Sequence, residues 1–97
     1  MSPPKQVVLD TSILVGLVDN RDALHSSAIT LRDALKEIQA QTVYFDCVIN
    51  ETINVLARRA KERKRSSEFT QLLTQLMAQF PEDSITWIST ETKRLYP

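Results

Sequence analysis

Glycine occurs once in these 97 residues, at Gly16, and cysteine once, at Cys47. With a single glycine the chain has no glycine-rich loop to cradle phosphate on backbone amides, which excludes nucleotide binding of that kind. A single cysteine excludes an internal disulfide. The apolar neighbours of Cys47, which are Phe45, Val48 and Ile49, predict a buried thiol in a reducing compartment. Histidine is also single, and His25 stands in another part of the chain, so no partner that would activate a catalytic thiolate is evident. Net charge is absent too, with 12 basic residues against 12 acidic ones. Any affinity for nucleic acid must therefore come from local clustering. No apolar run approaches the roughly 20 residues of a membrane span, and Met1-Ser2-Pro3-Pro4-Lys5 lacks the core of a signal peptide. The expectation is a cytoplasmic protein with no membrane partner. Internal repeats and low-complexity segments are also missing.

What is present is a hydrophobic content of 42%, enough for one domain over residues 1–97 with a modest core. Val7-Val8-Leu9 reads as a buried strand that stops at Asp10. Residues 12–18 form a short apolar helix that Thr11 or Ser12 can cap, and Asp19-Asn20-Arg21-Asp22 reads as a turn. From about Ser26 to Ala40, Ala28, Leu31, Leu35 and Ile38 recur at helical spacing opposite Arg32, Asp33, Lys36 and Glu37. Thr42 to Phe45 has the β-branched and aromatic content of a second strand, and Val48 to Arg59 the spacing of a third helix. Phe69, Leu72, Leu73, Leu76, Met77 and Phe80 make one apolar stripe on a fourth helix, started by Ser66 or Ser67 and followed by Pro81. Trp87, Phe69 and Phe80 read as core. Ile85 to Ile88 is expected as a third strand, with Ser89 capping a last helix through Glu91, Thr92, Lys93 and Arg94. Strands alternating with helices predict an α/β fold with a mainly parallel sheet covered on both faces.

In such sheets ligands bind beyond the carboxyl ends of the strands, which places Asp10 at a functional edge. If the second strand lies beside the first, Glu51 falls at the same edge near the start of its helix. Two carboxylates facing one cation suit Mg²⁺ or Mn²⁺, which are held by few carboxylates together with waters and substrate phosphate. Asp10 is equally a strand-terminal turn or capping residue. Glu51 is equally an acid favoured by the helix dipole, and Ser12 either orients Asp10 or a metal-bound water or caps the helix. Asp19, Asp22 and Asp46 read as turn or surface acids.

Residues 7–31 and 43–59 together resemble the N-terminal portion of a PIN-domain ribonuclease, most closely the VapC-type toxins of bacterial toxin–antitoxin pairs. The acid of that family's first-strand motif maps onto Asp10 and its hydroxyl onto Ser12, and the second acid maps onto Glu51 in Asn50-Glu51-Thr52. The resemblance implies a PIN-like three-layer α/β/α fold with a mainly parallel central sheet, truncated after the third strand. It implies a metal-dependent endoribonuclease in which Asp10 and Glu51 hold Mg²⁺ or Mn²⁺, an antitoxin protein as partner, and homodimerisation. PIN domains supply one or two further aspartates after the region resembling residues 84–88, where this chain offers only Glu91 in a different context. The expectation is therefore a C-terminally incomplete PIN domain with an incomplete acidic site.

Arg58, Arg59, Lys61, Arg63, Lys64 and Arg65 put six cations in eight residues. They suit either contact with RNA phosphates or a solvated helix end whose cations complement the dipole. No aromatic residue interleaves with them, so base stacking on the run is not expected. Against the endoribonuclease stands a non-catalytic remnant that serves as a dimer or antitoxin-binding module. Phosphotransfer through Asp10 ranks last, because hydrolases with a strand-end aspartate nucleophile usually carry a second acid two residues later, where this chain has Ser12. A sheet that ends early exposes a strand edge, which predicts self-association.

Overall fold

The computed structural model describes residues 5–88. The chain runs through β1 (Gln6–Val8), α1 (Thr11–Val18), α2 (His25–Glu37), β2 (Gln41–Val43), α3 (Asp46–Glu62) and α4 (Ser66–Gln79), then a 3₁₀ turn at Glu82–Ser84. β1 and β2 are parallel, with Gln6 opposite Gln41, Val7 opposite Thr42 and Val8 opposite Val43.

α1 is apolar almost all round, and Leu14, Val15, Gly16, Leu17 and Val18 are all buried, as expected for a helix enclosed by others. It packs against α2, α3 and α4, and α3 also packs against α4. The longer helices are amphipathic. α3 buries Asp46, Ile49, Thr52, Leu56 and Ala60 along one stripe, and α4 buries Leu72 and Leu76. Phe80 is also buried, and its ring meets that of Tyr44 edge to face at 4.7 Å. Gly16 sits where α1 meets α2. A Cβ there would lie 3.0 Å from the Cβ of Ala28, so the lone glycine buys a close helix approach.

The expected three-layer α/β/α architecture with a central sheet is not what forms. The molecule is mainly helical, and its only sheet among the described residues has two strands of three residues each. Residues 85–88 contribute one parallel bridge, Phe45 with Thr86. Thr86 N donates to Tyr44 O while Leu9 N donates to Val43 O, which places the bridge on the edge of the second segment away from β1. The reason lies in the partner: α3 begins at Asp46, so only Tyr44 and Phe45 remain extended beyond β2. The next amide, that of Ile88, donates to the Asp46 carboxylate at 3.1 Å instead of extending a ladder. Nor are the valines of β1 buried as a covered strand would have them; Val8 is 59% exposed. The last helix expected from Ser89 onward lies outside the described residues.

α2 ends short of the expected Ala40 and α3 runs past the expected Arg59, and both finish in the same geometry. In α2 the residue after the C-cap, Gln39, takes φ 57°, and Ala40 N and Gln39 N donate to Leu35 O and Lys36 O. In α3 Lys64 takes φ 56°, with Arg65 N and Lys64 N donating to Ala60 O and Lys61 O. Both are Schellman ends built without glycine. The apolar spacing of Ile38 and Ala40 therefore reads on as helix where the backbone has already turned. Cys47, expected buried, is exposed, because it stands one residue past Asp46 and off the buried stripe of α3.

Candidate functional site

Asp10 ends the β1 segment in extended backbone and serves as N-cap of α1, its Oδ1 accepting from Ile13 N at 3.1 Å. The cap is thus Asp10, one residue before Thr11 and two before Ser12. One oxygen of an exposed carboxylate is committed to the helix start. The next residue reaches across to α3: Thr11 Oγ1 donates to Glu51 Oε2 at 2.9 Å. The structure therefore brings together the two sequence segments, 40 residues apart, that carry the candidate acids.

Glu51 lies in the second turn of α3, and the first-turn acid is Asp46. The helix dipole acts mainly within the first turn, so it does not account for an acid at Glu51. The hydroxyl that touches Glu51 is that of Thr11, which sequence reasoning passed over in favour of Ser12. Ser12 is exposed and lines, with Thr11 and Glu51, a cavity of about 300 Å³ closed at its other end by Asp22 and Arg59. Glu51, Val55 and Arg59 reach it from one face of α3 at intervals of four residues.

A second ionic centre lies at the far end of α1. Asp19 is 1% exposed, and its Oδ2 accepts from Arg59 Nη1 at 2.9 Å and from Arg63 Nη2 at 3.1 Å. Its Oδ1 accepts from Arg21 N at 3.0 Å. Arg59 Nη1 also meets Asp22 Oδ1 at 2.7 Å, and Arg63 also meets Glu68. Burial pushes the Asp19 carboxyl up, but the Arg21 amide and the two guanidiniums outweigh it and hold the group below its ordinary range. Asp19 is thus a buried anchor rather than a surface acid. Asp46 is likewise buried.

The six cations of residues 58–65 divide. Arg59 and Arg63 are tied into the Asp19 cluster, whereas Arg58, Lys61, Lys64 and Arg65 make no ion pair among the described residues. They stand on the last turns of α3 and on the turn into α4. No group of three or more His, Cys, Asp or Glu that could hold a metal ion occurs among the described residues. Thr11 joins the Asp10 segment to Glu51, while Asp10 itself is not among the residues that line the cavity beside Glu51.

No helix among the described residues is long and apolar enough to cross a membrane. Compared with known protein families, curated proteins and solved structures, the chain matches none.

Proposed function

We propose that this chain is a metal-dependent endoribonuclease whose site works as in the PIN-type and VapC-type toxins its motifs resemble, acting in the cytoplasm. The observation that carries the reading is the hydrogen bond from Thr11 to Glu51, which joins the segment of Asp10 to α3 at the carboxyl end of β1. The donor set fits Mg²⁺ or Mn²⁺, since both acids are exposed, offer hard oxygens and can leave the ion largely hydrated. Such an ion, when bound, lowers the pKa of a water and stabilises charge on a phosphodiester.

The chain's own residues supply positioning. The Ile13 amide holds Asp10 Oδ1 and so fixes the carboxylate at the helix start. Thr11 pins one oxygen of Glu51 and so fixes the carboxylate's direction, the role an outer hydroxyl plays toward a metal-ligating acid. Ser12 presents a hydroxyl to the adjoining cavity, where it can orient a water by hydrogen bonding. Arg58, Lys61, Lys64 and Arg65 supply phosphate contacts that carry affinity without sequence information. Mn²⁺ titration followed by calorimetry checks the site directly. Wild type binds, and Glu51→Gln weakens binding by about tenfold or more; equal affinities would refute the assignment.

A second reading is a non-catalytic interaction module with an antitoxin or a second copy of the chain as its partner. It is favoured by the exposure of Val8 and Ile38, 59% and 61%, and by an apolar cavity of about 300 Å³ lined by Leu9, Ile13, Leu31, Leu35 and Phe80. Sedimentation velocity distinguishes it: a stable monomer at high concentration removes the self-associating form.

A further inference from the structure

A further concavity lies apart from the one beside Glu51. It is a groove of about 740 Å³ between α4 and the end of α1 with its following turn, within the size range of small-ligand sites. Two acids line it, Asp19 and Glu68. Asp19 is held by Arg59 and Arg63, which do not line the groove themselves, whereas Arg63 holds only Oε1 of Glu68 and its Oε2 is buried with no hydrogen-bond partner among the described residues. The groove's own cations are Arg21 and Arg65. Arg21 is half exposed and only loosely paired, 3.7 Å from Glu68, and Arg65 is exposed with no ion pair among the described residues. Between them α4 presents Gln71 and Gln75, one helical turn apart and both exposed.

That lining has a chemical direction. Guanidiniums at the groove's rim match phosphate oxygens, and side-chain amides carry the paired donor and acceptor that read the edges of bases. A recess of this kind admits an unpaired nucleotide, whereas duplex RNA hides its base edges in a deep, narrow groove. Position supports the same reading. Asp22 to Leu24 wall the cavity that holds Glu51, and Asp19 to Arg21 wall the groove, so one turn separates the two. Arg65 also joins the groove to the free cations Lys61 and Lys64.

We infer that this groove is the substrate-strand subsite: it takes single-stranded RNA next to the cleaved bond, Arg21 and Arg65 holding phosphates and Gln71 and Gln75 discriminating among bases. The inference rests on the ribonuclease reading for its substrate and shares Arg65 with it, but its test needs neither Asp10 nor Glu51, so the two fail separately.

The test is fluorescence anisotropy of the full chain with a random single-stranded RNA of about 12 nucleotides, in EDTA so that no cleavage occurs. Arg21→Ala/Arg65→Ala is expected to lower affinity about tenfold and to flatten the log–log salt dependence by about 1.4, some 0.7 for each lost phosphate contact. Arg32→Ala/Lys36→Ala removes the same charge from α2 residues that do not line the groove, and is expected to bind as wild type. Gln71→Ala/Gln75→Ala is expected to leave the salt slope unchanged and to level the affinities of homopolymers. Circular dichroism confirms that each variant is folded. Equal loss in the α2 control, no loss in the arginine pair, or tighter binding of a duplex than of a single strand would overturn the inference. Binding that behaves as expected without any Mn²⁺-dependent cleavage would overturn the nuclease reading and leave the groove standing.

Discussion

Asp10 and Asp19 stand at opposite ends of α1, and the same carboxylate does different work at each. Asp10 is exposed, and among the described residues its side chain bonds to the backbone of its own helix. Asp19 is buried and gathers two arginines from α3 and an amide from its own turn. A buried carboxylate that accepts from two guanidiniums and a backbone amide is a structural anchor, because a new ligand would have to displace charge-assisted bonds. An exposed carboxylate with an oxygen to spare is available for chemistry. The comparison also divides the basic stretch, since Arg59 and Arg63 are already engaged by Asp19.

The sharpest way to break that contrast is to remove each acid in turn. Asp19→Ala leaves Arg59 and Arg63 partly buried without their shared acceptor. It is expected to cost about 2–3 kcal/mol in urea unfolding, at the low end for a broken buried pair because both arginines are partly exposed. Asp10→Asn keeps an equally good N-cap and is expected to change stability by less than about 0.5 kcal/mol. Comparable losses at both positions would end the distinction.

Acid sharpens it further. The folded pKa of Asp19 lies below its unfolded value, so its contribution is fully present above about pH 4 and is lost as pH falls through the folded value. Wild type should therefore keep its advantage over Asp19→Asn unchanged between about pH 5 and 8 and lose it progressively below about pH 4. Urea midpoints across that range measure it; a constant gap down to low pH would contradict the assignment.

On the Asp10 side, Thr11→Val removes the hydroxyl that fixes Glu51 while keeping its volume. The expected result is a loss of about 10- to 100-fold in Mn²⁺ affinity or cleavage, with the fold intact. The smallest effect concerns the helix ends. Lys64→Gly and Gln39→Gly relieve left-handed backbone and should each stabilise by about 0.5 kcal/mol, as thermal unfolding would show. A loss at either position would mean that the side chain, not the backbone, holds the turn.

Much of the helical content was legible in the sequence because it depends on local spacing. The stripe of Leu72 and Leu76 follows from steps of three and four residues, the start of α4 from Ser66 and Ser67, and α1 to within one residue from its apolar run. The sheet was not legible. Ile85 to Ile88 has strand composition, but whether it pairs depends on how far β2 stays extended, and α3 begins at Asp46. The burial of Asp19 was equally hidden, since its partners lie 40 and 44 residues away and nothing in Asp19-Asn20-Arg21-Asp22 distinguishes it from an exposed turn. At the candidate site the two acids were readable from their motifs. The hydrogen bond that joins their segments was not, because it comes from Thr11, whose neighbour Ser12 fits the same pattern.

The most direct test of the central claim, that the exposed acids and not the buried one carry the chemistry, is cleavage of a mixed RNA pool by the 97-residue chain with Mn²⁺. It is run beside EDTA, Asp10→Asn and Glu51→Gln, with each protein shown to be folded. The account predicts cleavage with Mn²⁺ alone and loss in all three controls. Cleavage that persists in both variants, or a folded Mn²⁺-supplied chain that leaves RNA intact, would contradict it.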